Sequence, residues 1–354
     1  MKKEKIIFIL ALLSLVFFCL DKIISAASGA VKDRDMVEAA EIMDRAIKVL
    51  RGCAIENKIV IDGRFDINRT GLIGRENSPI TTSLGSIEAK RTTANPNFAG
   101  LIAKLLKEAG IKRGDAVAVG ASSSFPALVV AMLSAAKALD VKPVMICSLG
   151  ASNWGANDPE FTWLEMLACL RLGGVFNVQP IALALGGEID SGRGMSEEGR
   201  TLLADKIIKS GIYFLREPSL AANVQERMKL YEERAAPAEL KAFVNIGGSW
   251  ANMGTDSEVL KLRPGLNKSI FLPPVEKRGV VQEMAARGIP VIHLLYIKGF
   301  ADQFGLPWDP VPLPRPGEGR LFITPAKSLR PAALLAGAYI ILMLAALAFY
   351  PRKL

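Results

Sequence analysis

Residues 115–157 constrain the fold of this 354-residue chain more than any other stretch. They read as an apolar strand to Gly120, a polar turn, an apolar helix, a second apolar strand over 143–148 and a second polar loop. Short apolar strands also alternate with helices of ten or more residues along much of the chain. This alternation is typical of a parallel sheet buried on both faces. We therefore predict a three-layer α/β fold with a largely parallel sheet and helices on both faces.

Two uncharged apolar segments, 6–20 and 331–350, lie near the chain ends. The second has the roughly 20 apolar residues that a transmembrane helix needs, and the first reaches that length if it continues to residue 24. These segments predict two terminal transmembrane helices that flank the α/β domain. The resulting domains are an N-terminal transmembrane anchor at 1–24, an α/β domain at 25–306, a proline-rich tether at 307–330 and a C-terminal transmembrane helix at 331–350.

The lysines at positions 2, 3 and 5 precede the first apolar segment. The positive-inside rule therefore places the amino end in the cytoplasm and the α/β domain outside the cell membrane. The same pattern also fits a signal peptide, with a cleavage site at Ser25-Ala26-Ala27 as the alternative to a retained anchor.

The chain carries a formal net charge of +9, which favours anionic partners such as lipid headgroups or an acidic polymer. No basic run is interleaved with aromatic residues, so nucleic acid is not an expected partner. Neither a phosphate-binding loop nor a Gly-x-Gly-x-x-Gly motif after a strand is present, and no cofactor is predicted.

The four cysteines show no paired spacing and no grouping with histidine, so no metal site is predicted. Cys19 lies in the first apolar segment. Cys53, Cys147 and Cys169 lie on apolar faces, and we predict that they are buried free thiols.

Ser122, Ser123 and Ser124 form the polar turn between the first strand and its helix. Free N–H groups at a helix amino end bind carboxylate or phosphate, so the turn is a candidate ligand site. The alternative is that these serines only cap the helix and the turn. Ser122 or Ser124 could be a nucleophile only with His293, the single histidine, as its base. However, the turn lacks the last glycine of Gly-x-Ser-x-Gly, and His293 lies inside an apolar strand.

Further polar residues lie in loops before helices or after strands. Lys90 and Arg91, beside several threonines, could hold a carboxylate by charge and hydrogen bonds. Asn153, Ser249 and Asn252 follow two other predicted strands. We predict that these side chains bind a ligand; the alternative is a set of ordinary solvated loops and tight turns.

Several stretches carry long shared motifs: Thr81-Thr82-Ser83-Leu84-Gly85 with Lys90-Arg91-Thr92-Thr93-Ala94-Asn95-Pro96, Gly114-Asp115-Ala116-Val117-Ala118-Val119-Gly120, Gly150-Ala151-Ser152-Asn153-Trp154-Gly155-Ala156-Asn157, and Gly305-Leu306-Pro307-Trp308-Asp309-Pro310. By these motifs the chain resembles the poly-gamma-glutamate system protein family. The resemblance implies a membrane-anchored accessory factor in poly-gamma-glutamate biosynthesis or export, as in capsule formation. Its implied partners are the membrane, the synthase complex and the anionic polymer, and it implies no catalytic residue.

Two alternatives stay open. One is a serine-dependent hydrolase or transferase that acts on the polymer, and the other is a structural partner of the synthase that binds no ligand.

Overall fold

The computed structural model describes residues 3–27, 31–324 and 329–348. The chain divides into two compact units, Arg34–Phe322 and a smaller one within Met1–Asp33 and Ile323–Leu354. The outermost residues of the two predicted anchors, 1–2 and 349–350, and part of the predicted tether, 325–328, lie outside the described residues. So do residues 28–30 at the start of the predicted α/β domain.

The elements alternate along the larger unit as the sequence predicts. The strands are β1 (Val31–Lys32), β2 (Ala116–Ser122), β3 (Lys142–Ser148), β4 (Asn157–Asp158), β5 (Phe161–Thr162), β6 (Ala182–Ala184), β7 (Tyr213–Phe214), β8 (Leu240–Ile246), β9 (Gly265–Asn267), β10 (Val291–Leu294) and β11 (Ile323–Thr324). The α-helices are α1 (Lys3–Ala27), α2 (Arg34–Glu56), α3 (Ile87–Thr93), α4 (Asn97–Glu108), α5 (Pro126–Ala138), α6 (Trp163–Leu172), α7 (Glu197–Ser210), α8 (Leu220–Ala235), α9 (Trp250–Met253), α10 (Val280–Ala286), α11 (Ile297–Phe304) and α12 (Leu329–Ala348). Single 3-10 turns lie at Ser257–Lys261, Val275–Lys277 and Arg320–Phe322.

Seven strands form one sheet in the order β7-β6-β3-β2-β8-β10-β9. All neighbours are parallel except β9, which runs antiparallel to β10. Alternate residues of β2 face opposite layers: Val117 and Val119 pack with α2, α4 and α5, and Ala116 and Ala118 pack with α8 and α10. Both faces are therefore buried, which is why the strand has no polar alternation. The predicted α/β class and largely parallel sheet are confirmed.

The segment 307–322 is not a tether. Asp309 forms an ion pair with Arg91 of α3, with 2.6 Å between Arg91 Nε and Asp309 Oδ1. Phe322 is fully buried and covers Gly100 of α4, where an added Cβ would lie 2.4 Å from the Phe322 ring. The proline-rich composition predicted the lack of regular elements but not this packing, so the larger unit ends at residue 322 and not at 306.

Cys53 of α2 and Cys169 of α6 form a disulfide, and the prediction of free thiols is wrong for this pair. The two cysteines are 116 residues apart in sequence, and only the packing of α2 on α6 brings them together. Cys147 is a buried free thiol, as predicted, and Cys19 is an exposed free thiol.

The smaller unit contains α1 and α12, which pack against each other, and the antiparallel pair β1–β11. The hydroxyls of Ser14 and Tyr339 lie 2.9 Å apart between the two helices. Among the described residues, no helix combines the length and the hydropathy needed to cross a bilayer. The described residues therefore do not support the two predicted transmembrane helices.

Candidate functional site

A cavity of about 590 Å³ opens at the carboxyl ends of the central strands. This edge is where open parallel sheets bind their ligands. Five loops contribute to its lining, within 82–86, 122–125, 148–152, 186–194 and 248–250. We call this space the strand-end cavity.

Lys90 is the buried cation of the strand-end cavity. Ser86 caps α3 by accepting a hydrogen bond from Ala89 N at 3.2 Å, which places Lys90 one turn into the helix. The side chain reaches the serine turn, where Nζ donates to the carbonyl of Ser124 and lies 2.8 Å from Ser152 Oγ. Nζ also lies 3.6 Å from the centre of the Phe125 ring.

Burial changes the protonation of Lys90. The residue is only 3% exposed, and desolvation lowers the pKa of its ammonium from 10.5 to about 7. Within the described part of the chain, no carboxylate forms an ion pair with Nζ to offset this effect. At neutral pH the amine therefore exists in both charged and neutral forms.

The serine turn is divided between the cavity and the core. Ser122 and Ser124 line the cavity, and Ser122 Oγ accepts a hydrogen bond from Ser124 N at 3.2 Å. Ser123 is fully buried, with its hydroxyl 3.9 Å from the Cys147 thiol, so it does not face the cavity. No serine side chain caps α5, because Phe125 occupies the N-cap position.

Ser249 and Asn252 follow β8 but face different surroundings. Ser249 lines the strand-end cavity, and its buried Oγ has no hydrogen-bond partner among the described residues. Asn252 lies over Gly120 of β2, where an added Cβ would meet the Asn252 amide at 2.4 Å. Asn252 therefore fills the space above the strand and does not line the cavity.

Asn153 and Arg91 also have other partners. The Asn153 amide donates to the carbonyl of Glu76 and to Asn77 Oδ1, and Arg91 pairs with Asp309. Neither residue lines the strand-end cavity. The structure thus brings together four of the predicted site residues, namely Lys90, Ser122, Ser124 and Ser249.

His293 is not placed to activate a serine. It lies within β10, in register with Asn245 of β8, and its Nδ1 is 3.0 Å from Asn245 Nδ2. Burial lowers its pKa to about 4. Within the described residues it makes no hydrogen bond to Ser122 or Ser124, so the Ser–His pairing that the sequence left open is not formed. The register of the parallel strands holds the imidazole inside the sheet, below the edge where the serines lie.

The lowered pKa of His293 predicts that the folded protein loses stability at acid pH. Because its pKa is about 4 in the folded state and about 6.5 when unfolded, the unfolded chain binds more protons between these values, and the folded state loses stability as the pH falls. We expect the free energy of unfolding to fall by about 2–3 kcal/mol more in the wild type than in His293→Gln between pH 7 and pH 4. Urea denaturation at the two pH values measures the difference. An equal loss in both proteins would contradict this account.

A buried ion pair holds the glycine-rich loop 186–194. The Asp190 carboxylate accepts a hydrogen bond from Ser148 Oγ at 2.8 Å and pairs with the Arg227 guanidinium of α8. The side chains of Asp190 and Arg227 are 0% and 1% exposed. The Asp190–Arg227 pair therefore holds the loop 186–194, which forms one wall of the strand-end cavity.

The sequence contained one signal for this pair. Val224, Met228 and Tyr231 have helical spacing and form the buried face of α8, and Arg227 lies on the same face. A charged residue on an apolar helix face needs a buried partner. Nothing in the glycine-rich loop indicated that Asp190 was that partner.

Ser152 was also missed as a candidate site residue, although its hydroxyl is next to the Lys90 amine. Its sequence context, a polar loop after β3, did not distinguish it from the neighbouring serines. Only the approach of α3 to this loop identifies it.

No family model, curated protein or solved structure significantly matches this chain. Across residues 3–27, 31–324 and 329–348, no group of three or more histidine, cysteine or acidic side chains has an arrangement that could hold a metal ion.

Proposed function

We propose that the larger unit binds poly-gamma-glutamate in the strand-end cavity, and that the chain is a membrane-anchored accessory factor in the synthesis or export of this polymer. The observation that carries the proposal is the buried Lys90 amine, which faces a cavity lined with hydroxyls and forms no ion pair among the described residues. The family resemblance of the sequence motifs supports the choice of polymer.

A carboxylate ligand would supply the negatively charged partner that Lys90 does not have among the described residues. An anion within hydrogen-bond distance favours the ammonium form, so binding would raise the pKa of Lys90 from about 7. Ser122 lines the same space, and its hydroxyl can donate to a second carboxylate oxygen. The net charge of +9 would attract a polyanion over longer distances.

Two observations support a location outside the cytoplasm at the membrane. The Cys53–Cys169 disulfide is of the kind that persists in oxidising compartments. Apolar side chains of the smaller unit, including Phe8 at 69% and Ile341 at 68%, are exposed and would be covered by lipid.

Calorimetric titration of the full chain with poly-gamma-glutamate tests the proposal. The chain would be extracted in detergent from the membrane fraction, and its recovery without detergent would contradict anchoring. At pH 8 we expect binding to take up close to one proton per site, since Lys90 is mostly neutral before binding and charged afterwards. Titrations in two buffers of different ionisation enthalpy measure this uptake.

Lys90→Met should weaken polymer binding at least tenfold and abolish the proton uptake. The matched control is Lys137→Met, because Lys137 also donates to a backbone carbonyl, that of Val175, but lies at the carboxyl end of α5 away from the cavity. Unchanged affinity in Lys90→Met would contradict the proposal. Co-purification with the synthase without polymer binding would instead favour a structural partner.

A further inference from the structure

The Ser152 hydroxyl is held against a buried amine. Ser152 Oγ lies 2.8 Å from Lys90 Nζ, and the Ser152 backbone N–H donates to Ser124 Oγ at 2.9 Å. Gly85 closes the other side, where an added Cβ would lie 3.1 Å from Ser152 Oγ. Ser152 therefore has little freedom, yet it lines the strand-end cavity.

The partners of Lys90 Nζ suit a neutral amine. The Ser124 carbonyl can only accept a hydrogen bond, whereas the Ser152 hydroxyl can donate or accept. In the structure Nζ donates to Ser152 Oγ. Once the amine is neutral, its lone pair can instead accept from the Ser152 O–H while its hydrogens serve the Ser124 carbonyl. This is the hydrogen-bond direction that a general base requires.

The surrounding charges leave this amine unpaired within the described residues. They are already engaged with one another or with a cap residue: Glu188 with Arg193 at the cavity mouth, Arg91 with Asp309, and Glu88 with the Ser86 cap of α3. Burial then lowers the pKa of Lys90 to about 7, the range in which a base works best at neutral pH.

We propose that Ser152 and Lys90 form a nucleophile–base pair that transfers acyl groups from amide bonds of the carboxylate-rich polymer in the strand-end cavity. The choice of substrate rests on the proposed function, but acyl transfer requires the neutral amine, because a Lys90 that is kept protonated by a bound carboxylate cannot accept the Ser152 proton. The Ser152–Lys90 pair itself stands on the geometry of the two side chains.

The reaction has two balanced steps. Ser152 Oγ attacks the amide carbonyl carbon while its proton passes to Lys90 Nζ; the C–N bond then breaks, and the leaving amine takes that proton. Water or a second amine next attacks the Ser152 ester and gives its proton to Lys90. The ester C–O bond breaks, and the proton returns to Ser152.

The negative oxygen of the tetrahedral intermediate needs N–H donors. The backbone N–H groups of Leu84 and Gly85 belong to the same wall of the cavity and make no hydrogen bond among the described residues. We assign these two N–H groups the role of stabilising this oxygen.

A fluorophosphonate probe tests the pair in the full chain. We expect one probe per chain, located on Ser152 by peptide mass spectrometry, with fluoride as the leaving group. The labelling rate should rise through about pH 7 as Lys90 loses its proton. An unlabelled wild-type chain, or a probe attached to another residue, would overturn the inference.

Three variants distinguish the contributions of the nucleophile, the base and background labelling to the labelling rate. Ser152→Ala should slow labelling at least 100-fold, and Lys90→Arg at least tenfold, because a guanidinium remains charged near neutral pH. Ser257→Ala removes an exposed serine outside the cavity and should label like the wild type. Equal labelling of Ser152→Ala and the wild type would refute the assignment.

The polymer distinguishes the two proposals. If calorimetry detects polymer binding but the probe never labels Ser152, the acyl-transfer inference fails and the binding function stands. If the probe labels Ser152 but the polymer neither binds nor becomes shorter, the pair is chemically competent and the choice of polymer is wrong.

Discussion

Asp190→Asn should lower the free energy of unfolding by about 3–5 kcal/mol, the cost of leaving one member of a buried ion pair without its partner. Arg227 remains fully buried in this variant, and the Asn223 side chain, 2.8 Å from its Nε, stays as a polar partner, but the negative charge that balances the guanidinium is gone. The Ser148 hydroxyl also loses a charged acceptor. The loss is large because water cannot reach the uncompensated guanidinium.

Chemical denaturation measures this loss, and hydrogen exchange shows where it acts. We expect faster exchange over 186–194, because Asp190 is the residue that ties this loop to α8. Asp190→Asn/Arg227→Met should recover much of the stability, since it removes both charges together. Glu188→Gln is the control, because Glu188 pairs with Arg193 in solvent and such pairs contribute less than about 1 kcal/mol. Equal effects of Asp190→Asn and Glu188→Gln would contradict the buried-pair account.

Removing the disulfide with Cys53→Ser/Cys169→Ser should lower the free energy of unfolding by about 2–4 kcal/mol. The crosslink joins residues 116 positions apart and therefore restricts much of the unfolded chain. The effect should be large because the closed loop includes β2, β3 and three of the five loops that line the strand-end cavity.

Denaturation with and without a thiol reductant tests this prediction. The wild type should lose stability on reduction and approach the double variant, which should not respond to reductant. Cys19→Ser is the control, because Cys19 is a free thiol and its loss should leave the response unchanged. A wild type that is equally stable in both conditions would contradict a stabilising role for the disulfide.

The sequence by itself determined the layered α/β architecture and the edge of the sheet where the site lies. Continuous apolar strands such as 116–122 require cover on both faces, and polar turns after parallel strands meet at one edge. Ser122, Ser124 and Ser249 could be predicted for this reason, because the local pattern of apolar residues indicates which segments are buried strands. Lys90 was predicted from its charge beside several threonines, and it lies on α3.

Only the tertiary structure decided which polar residues act together. Ser123 and Ser124 are adjacent in sequence, yet one faces Cys147 in the core and the other faces the cavity. The pairs Lys90–Ser152 and Asp190–Arg227 depend on strand register and helix packing, which join residues far apart in the chain. The local sequence pattern carries no information about contacts between distant residues. The proximity of Lys90 and Ser152 is therefore visible only in the folded structure.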